Sequence, residues 1–256
     1  MPAANLEAIA RVSARGVRVV IATGRSAYFA LQALGDLPAD ITLIAYNGAI
    51  ARTRTGNTLV RRLLPRATAR QVLESTVAWR GDTTAVFDRP LAGQLLYDVM
   101  DWTHPNRSGF KALNHQIIQA VDRLEDAMVE DPVQIGFNGG VDQMRAIVAH
   151  LSAQPMAAHV EVMLTEYPRR DFAMVDVCAA GTTKATGLAA VAAEFGVEPR
   201  DVMAVGDNHN DVDMLRWAGT GVVMGNAEPD VCEPGFHRTA TNDEAGLAQA
   251  IARFIC

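Results

Sequence analysis

Hydrophobic positions follow two styles along this chain. In AANLEAIARVSARG, from Ala3 to Gly16, residues Leu6, Ile9, Ala10 and Val12 lie roughly on one helical face, and Gly16 is a natural C-terminal stop. VRVVIA, ending at Ala22, is a β-branched run without alternation, the pattern of a strand covered on both faces. Ser26 is placed to cap a helix over SAYFALQAL that stops at Gly35. ITLIA, Ile41 to Ala45, is a second fully apolar strand, and it breaks into Tyr46-Asn47-Gly48. Helix, strand, helix, strand predicts a parallel α/β sheet.

From residue 56 the style changes. TARQVLESTVAWRG, NHQIIQAVDRLEDAM and VDQMRAIVAHLSAQ read as amphipathic helices. AVFD, VQIGFN, HVEVMLTE and DFAMVDVC read as strands with partial alternation, suited to a sheet with one face open or covered by helices. After Gly181 the first style returns. TTKATGLAAVAAEFG is an apolar helix, DVMAVGD a buried strand ending in an acid, DVDMLRWAG a helix, GVVMGN a strand and turn, and DEAGLAQAIARFI a final helix. The organisation this predicts is an α/β core in two parts, 1–55 and 179–256, interrupted by an inserted α+β cap domain over 56–178.

Composition narrows the function classes. The chain has 256 residues, 49% of them apolar and 20% charged, which suits a globular protein with a sizeable core. A net charge of -6 argues against nucleic acid or an anionic membrane as the main partner. Cys178, Cys232 and Cys256 are widely spaced with no CxxC, so neither a disulfide framework nor a zinc ribbon is supported. The N-terminus lacks the pattern of a secretory signal, and no apolar stretch approaches the ~18 residues of a membrane span. These features predict a cytoplasmic protein.

Ligands of open α/β sheets bind at the carboxyl ends of the strands. Three such ends carry polar groups here: Thr23-Gly24-Arg25, Asn47-Gly48, and Gly206-Asp207-Asn208-His209-Asn210-Asp211. Lys184 opens the helix that follows the inserted segment. Singly, each has a plain structural reading. Thr-Gly and Asn-Gly are turn signals, a lysine in an early helical turn is usually solvated, and Asn210 or Asp211 could cap the next helix. Together they describe a phosphoryl-transfer site. Acids at a strand end supply hard oxygens for Mg²⁺, a hydroxyl and backbone N–H groups hold phosphate oxygens, and a lysine offsets the gathered charge. Other motifs fail on spacing. Gly219 to Gly225 is not a dinucleotide fingerprint, Gly181-Thr182-Thr183-Lys184 is not a Walker loop, and neither HExxH nor GxSxG occurs.

VVIATGR, AYNGAI, GTTKATGL and GDNHNDVDMLRWAGTGVVMGNA resemble the haloacid dehalogenase superfamily, and within it the Cof-like sugar-phosphate phosphatases. The resemblance runs over nearly the whole chain and implies a Rossmann-like parallel core with a cap. It implies Thr23 as the second-motif phosphate binder with Gly24, Lys184 as the third-motif lysine, these two as catalytic residues, and Asp207 and Asp211 as the fourth-motif acids serving Mg²⁺, with Asn210 close to the phosphate. Arg25 and Asn47 become substrate or loop candidates. A small phosphorylated metabolite is the implied substrate, and a phosphomutase-like transfer is conceivable within the same superfamily.

The departure is as definite as the match. The family begins with a strand ending in D-x-D-G-T, whose first aspartate attacks phosphorus. Here Met1 to Val17 holds one acid, Glu7, and the only D-x-D spacing near a motif, Asp211-Val212-Asp213, opens a helix. The first core strand is thus expected to be missing, leaving two unpaired strand edges and an apolar slot at the centre of the sheet. The reading favoured is a start assigned at an internal methionine, with the chain as written inactive. The alternative is a non-catalytic relative that binds phosphate and metal without turnover.

Overall fold

The computed structural model describes residues 1–34, 37 and 40–255; the expected helix stop at Gly35 lies outside them. The chain forms two compact units, Met1–Arg61 with Thr182–Cys256, and Arg62–Gly181. The first unit opens with helix α1 (Ala3–Ala14), strand β1 (Val19–Ala22), helix α2 (Ala27–Leu34) and strands β2 (Ile41–Ala45), β3 (Ile50–Thr53) and β4 (Thr58–Arg61). Ser26 does cap α2, accepting the Phe29 N–H at 3.2 Å. The boundary falls after Arg61 rather than residue 55, because β3 pairs antiparallel with β2 and β4 antiparallel with β3, extending the β1–β2 sheet by two strands.

The second unit contains α3 (Arg66–Ser75), β5 (Thr83–Val86), β6 (Leu95–Tyr97), α4 (Pro105–Asn114), β7 (Ile118–Ala120), α5 (Leu124–Ala127), β8 (Gln134–Gly139), α6 (Val141–Ser152), β9 (Val160–Tyr167) and β10 (Phe172–Ala179). Its sheet runs β7-β6-β5-β8-β10-β9. Alternate residues Ile135, Phe137, Ala173, Val175 and Val177 pack into one core with Val72 and Leu73 of α3 and Met144, Ile147 and Leu151 of α6. That is the half-covered sheet the alternation predicts. NHQIIQAVDRLEDAM, however, is not a helix. Its Ile118–Ala120 pairs parallel with β6, and apart from Asn114, which ends α4, only the four residues of α5 are helical. The β-branched pair Ile117-Ile118 meets an open strand edge there, with Leu95 N–H donating to the Ile117 carbonyl at 3.0 Å, so tertiary pairing overrides local periodicity.

The chain then returns to the first unit through α7 (Lys184–Glu194), β11 (Met203–Gly206), α8 (Val212–Trp217), β12 (Thr220–Val223), β13 (His237–Arg238) and α9 (Gly246–Phe254). β11, β12 and β13 form a parallel three-stranded sheet. Among the described residues no ladder joins β11 to β1, so this unit carries two sheets rather than one. Both nonetheless lie in one layer. Val20 and Ala22 share an apolar cluster with Val202, Ala204 and the α7 residues Leu188 and Val191. On the other face, Val19, Ile21 and Met203 pack with Ile9 and Val12 of α1 and Ile251 of α9. The expected open edges are therefore present, and β1 is not fully covered: all four of its residues are half-buried, whereas all five of β2 are buried.

β2 ends in a turn that sets the geometry of the sheet's carboxyl end. Tyr46, Asn47 and Gly48 take φ of 51°, 53° and 110°. The Tyr46 N–H donates to the Arg25 carbonyl at 3.0 Å and the Asn47 N–H to the Thr23 carbonyl at 3.1 Å, stitching the loops after β1 and β2 together. Gly48 also lies against the Thr183 carbonyl oxygen, into which a Cβ would collide. Gly48→Ala combines a disfavoured φ with overpacking against backbone and is expected to cost about 2–4 kcal/mol. Urea unfolding should register this as a lower midpoint at unchanged m.

Candidate functional site

The site is built from the starts and ends of five elements of the first unit. Thr183 caps α7 with a reciprocal pair of bonds: its hydroxyl accepts the Thr186 N–H at 3.1 Å, and the Thr186 hydroxyl accepts the Thr183 N–H at 3.1 Å. This fixes Lys184 at the first helical position, where it is 7% exposed and not the solvated lysine of the plain reading. Its Nζ donates to Asp211 Oδ1 at 2.6 Å and to Asn210 Oδ1 at 3.0 Å.

Asp211 lies in the loop between β11 and α8. Its Oδ2 accepts the N–H groups of Asp207 at 3.0 Å and Asn208 at 3.1 Å. The cap of this turn is thus Asn208 working with Asp211, not Asn210. Asn210 instead reaches across the sheet, its Nδ2 donating to Asn47 Oδ1 at 3.1 Å. Asn47 is 1% exposed and stands directly over the turn after β1. A Cβ at Gly24 would lie 2.8 Å from Asn47 Oδ1, so the close approach of amide and turn requires glycine there. Thr23 is held by its N–H to the Ile44 carbonyl at 2.9 Å, and its hydroxyl accepts the Arg25 N–H at 3.1 Å.

One connected network therefore joins Thr23, Gly24, Asn47, Asn210, Lys184, Asp211 and Asp207. Arg25 stands exposed beside it. Asp207 is exposed too, and Asn226 Nδ2 donates to its Oδ2 at 3.1 Å. Two parts of this arrangement escape sequence reasoning. Asn208 acts as a cap and Asn226 as a tether for Asp207, although both fall inside the GDNHNDVDMLRWAGTGVVMGNA stretch. Asn47 reads as a turn residue in sequence and proves to be the link between two loops.

The donor set bears on metal binding. Among the described residues no group of three His, Cys, Asp or Glu side chains could hold an ion. Both oxygens of Asp211 already accept hydrogen bonds, while Asp207 is bonded through Oδ2 alone. One exposed carboxylate beside a second, neutralised one fits Mg²⁺, which takes one or two carboxylates and completes its shell with water and substrate phosphate.

Comparison with known proteins bears on the family and the fold. A family model described as haloacid dehalogenase-like hydrolase matches residues 1–251. Two proteins of Bacillus subtilis strain 168 named 5-amino-6-(5-phospho-D-ribitylamino)uracil phosphatase are similar. YcsE is 28% identical over 251 residues, covering 98% of this chain and 87% of its own. YwtE is 25% identical over 272 residues, covering 99% and 91%. Among solved structures, BT1666 from Bacteroides thetaiotaomicron, described among the phosphatases of the same superfamily, superposes with a TM-score of 0.79 at 26% identity, over 99% of this chain and 88% of that one.

The Lys184–Asp211 pair makes a sharp stability test. Asp211→Ala leaves a buried ammonium without its counter-charge and frees two loop N–H groups, at an expected cost of about 3–5 kcal/mol. Adding Lys184→Met should recover a large part of that loss, because the uncompensated charge goes with it. Denaturant unfolding of the two single variants and the double variant measures the coupling.

Proposed function

The chain belongs to the haloacid dehalogenase-like hydrolases, and from that premise we propose that its core is a Mg²⁺-dependent phosphatase site for a small phosphorylated metabolite such as a sugar phosphate. The observation that carries this reading is the Lys184–Asn210–Asn47 chain of hydrogen bonds, which brings the start of α7 and the loops after β11 and β2 to one place. An ammonium has three N–H donors, and two of those on Lys184 are engaged, so one remains for an anion. Asn210 has a second amide N–H, and the Thr23 hydroxyl, which accepts from Arg25, keeps its own proton to donate. Those three donors, with the Gly24 N–H, suit the oxygens of a phosphoryl group. The named substrate of YcsE and YwtE, itself a small phosphate ester, supports the class.

Asp207 would hold Mg²⁺, with Asp211 beside it. The ion would supply charge neutralisation on the transferring group. The residues of this chain do the positioning: Asp211 fixes Lys184 and the loop amides, and Asn47 fixes the relation of Asn210 to Thr23. Phosphoryl transfer depends largely on such placement and charge. The attack itself needs a nucleophile, and the acids of the network are committed, Asp211 to Lys184 and two amides, Asp207 to the cation. Burial pushes the Cys178 thiol well above the usual thiol range, so it offers no substitute. The 256 residues by themselves are therefore read as binding phosphate without turning it over. The same shortage of an uncommitted carboxylate is what favours the second reading, a non-catalytic phosphate- and metal-binding relative.

Two measurements test this. Inorganic phosphate with Mg²⁺ should raise the melting temperature, the gain reaching about 2.7 kcal/mol at 100 times Kd, and Lys184→Met should abolish it. No shift in the parent chain at any phosphate concentration would sink the binding-site reading. In a panel of sugar phosphates with Mg²⁺, turnover should not exceed that of Asp207→Ala. Clear turnover that this substitution removes would overturn the inactive reading and require another nucleophile.

A further inference from the structure

The longest free sheet edge lies in the second unit. β9 borders its sheet and spans the eight residues of VEVMLTEY, whereas the other edge strands among the described residues hold two to four. It pairs with β10 without a bulge, from Val160 opposite Ala179 to Tyr167 opposite Phe172. Natural edges are blunted by proline, lysine, bulges or short length, and β9 has none of these. The Ala180 N–H donates to the His159 carbonyl at 3.3 Å, and hydrogen-bonded positions alternate along an antiparallel pair. Glu161, Met163, Thr165 and Tyr167 therefore turn their backbones to β10, while Val162, Leu164 and Glu166 turn theirs outward. On one face of the strand, Val162 and Leu164 pack on the core shared with α6, and Glu166 is held by Arg145 of α6 at 2.7 and 3.1 Å.

We propose that β9 is the interface of a two-fold dimer, in which the same strand of a second copy pairs with it antiparallel about an axis at Leu164. Self-pairing is restricted by parity. Residues opposite each other must share a face and both turn their backbones to the partner, so an even-numbered residue meets an even-numbered one. Glu161 can then never stand opposite Glu166, the one like-charge clash the strand could make. With the axis at Leu164, that residue meets its own copy, Val162 meets Glu166, Met163 meets Thr165 and Glu161 meets Tyr167. Glu161 of each copy then lies diagonally across from exposed Arg169 of the other, within the reach of two long side chains. An axis at Met163 moves Arg169 two residues further off. Pro168, opposite Val160, has no N–H and ends the ladder where the strand itself ends. Both copies spend the same edge, and the joined sheet is bounded by β7, with three residues, so the assembly closes as a dimer.

Sedimentation of the full chain should show a concentration-dependent monomer–dimer equilibrium. Val162→Pro removes an N–H that β10 does not use, and proline is tolerated on the open side of an edge strand. It should leave the unfolding transition in place and weaken the dimer at least tenfold. Glu161→Arg turns two symmetry-related attractions into repulsions and should weaken the dimer about tenfold. Adding Arg169→Glu to it should restore the parent affinity, a rescue that general damage to the fold would not give. A chain that stays monomeric up to its solubility limit overturns the proposal. So does a dimer indifferent to both Val162→Pro and Glu161→Arg, or a Glu161→Arg defect that Arg169→Glu fails to repair. Should Val162→Pro fail to fold, the charge exchange decides alone.

Discussion

The first unit depends on the buried contact between Lys184 and Asp211. Among the described residues the two sheets of this unit share no backbone ladder, so their relation rests on apolar packing from the helices and on side-chain bonds at their carboxyl ends. Lys184 is the junction of those bonds. It comes from α7, which packs on both sheets, and it holds Asp211 and Asn210 of the β11 loop. Asn210 in turn holds Asn47 of the β2 turn, which holds the Thr23 carbonyl after β1. A buried ammonium without this carboxylate would be costly, and a carboxylate without the lysine would leave the loop amides around an unpaired charge. Each group therefore requires the other, and the network has little freedom to form in part.

Backbone geometry gives this network its precision. Side chains on short loops usually lose accuracy because the loops move. Here the β2 turn is locked by three consecutive left-handed residues and two inter-loop hydrogen bonds, and the β11 loop by Asp211 accepting two of its own amides. Gly24 and Gly48 matter for the same reason. One lets the Asn47 amide approach the Thr23 turn, and the other lets the turn lie against the start of α7.

Much of this was legible in the sequence, for physical reasons that can be named. Long apolar runs such as ITLIA have one low-energy location, a covered strand, and the observed strand matches the run residue for residue. Acids and asparagines concentrated after VMAVG are costly to place together unless they serve each other or a ligand, which marks the loop. The inserted unit was harder, because polar amphipathic segments satisfy several patterns. QIIQA reads equally as helix or edge strand until an open β6 edge decides it. The boundary at Arg61 was hidden because β3 and β4 are short, and β4 carries exposed residues at both ends, so neither shows its attachment to β2. The role of Asn47 was out of reach for a different reason. Its partner Asn210 lies 163 positions away, and no local pattern encodes such a pairing.

A division of labour follows between the site and the sheet. The groups that would hold an anion are fixed by a helix cap, a left-handed turn and a self-capped loop, none of which uses the unpaired edges of β1 and β11. The edges govern something else, the continuity of the sheet and the cover over Val19 to Ala22. Thr23 and Asp207 directly follow β1 and β11, so the polar groups gather where those two strands end. The network there is held by Lys184, Asn210, Asn47 and the self-capped loop of Asp211, and it needs no ladder between the two strands.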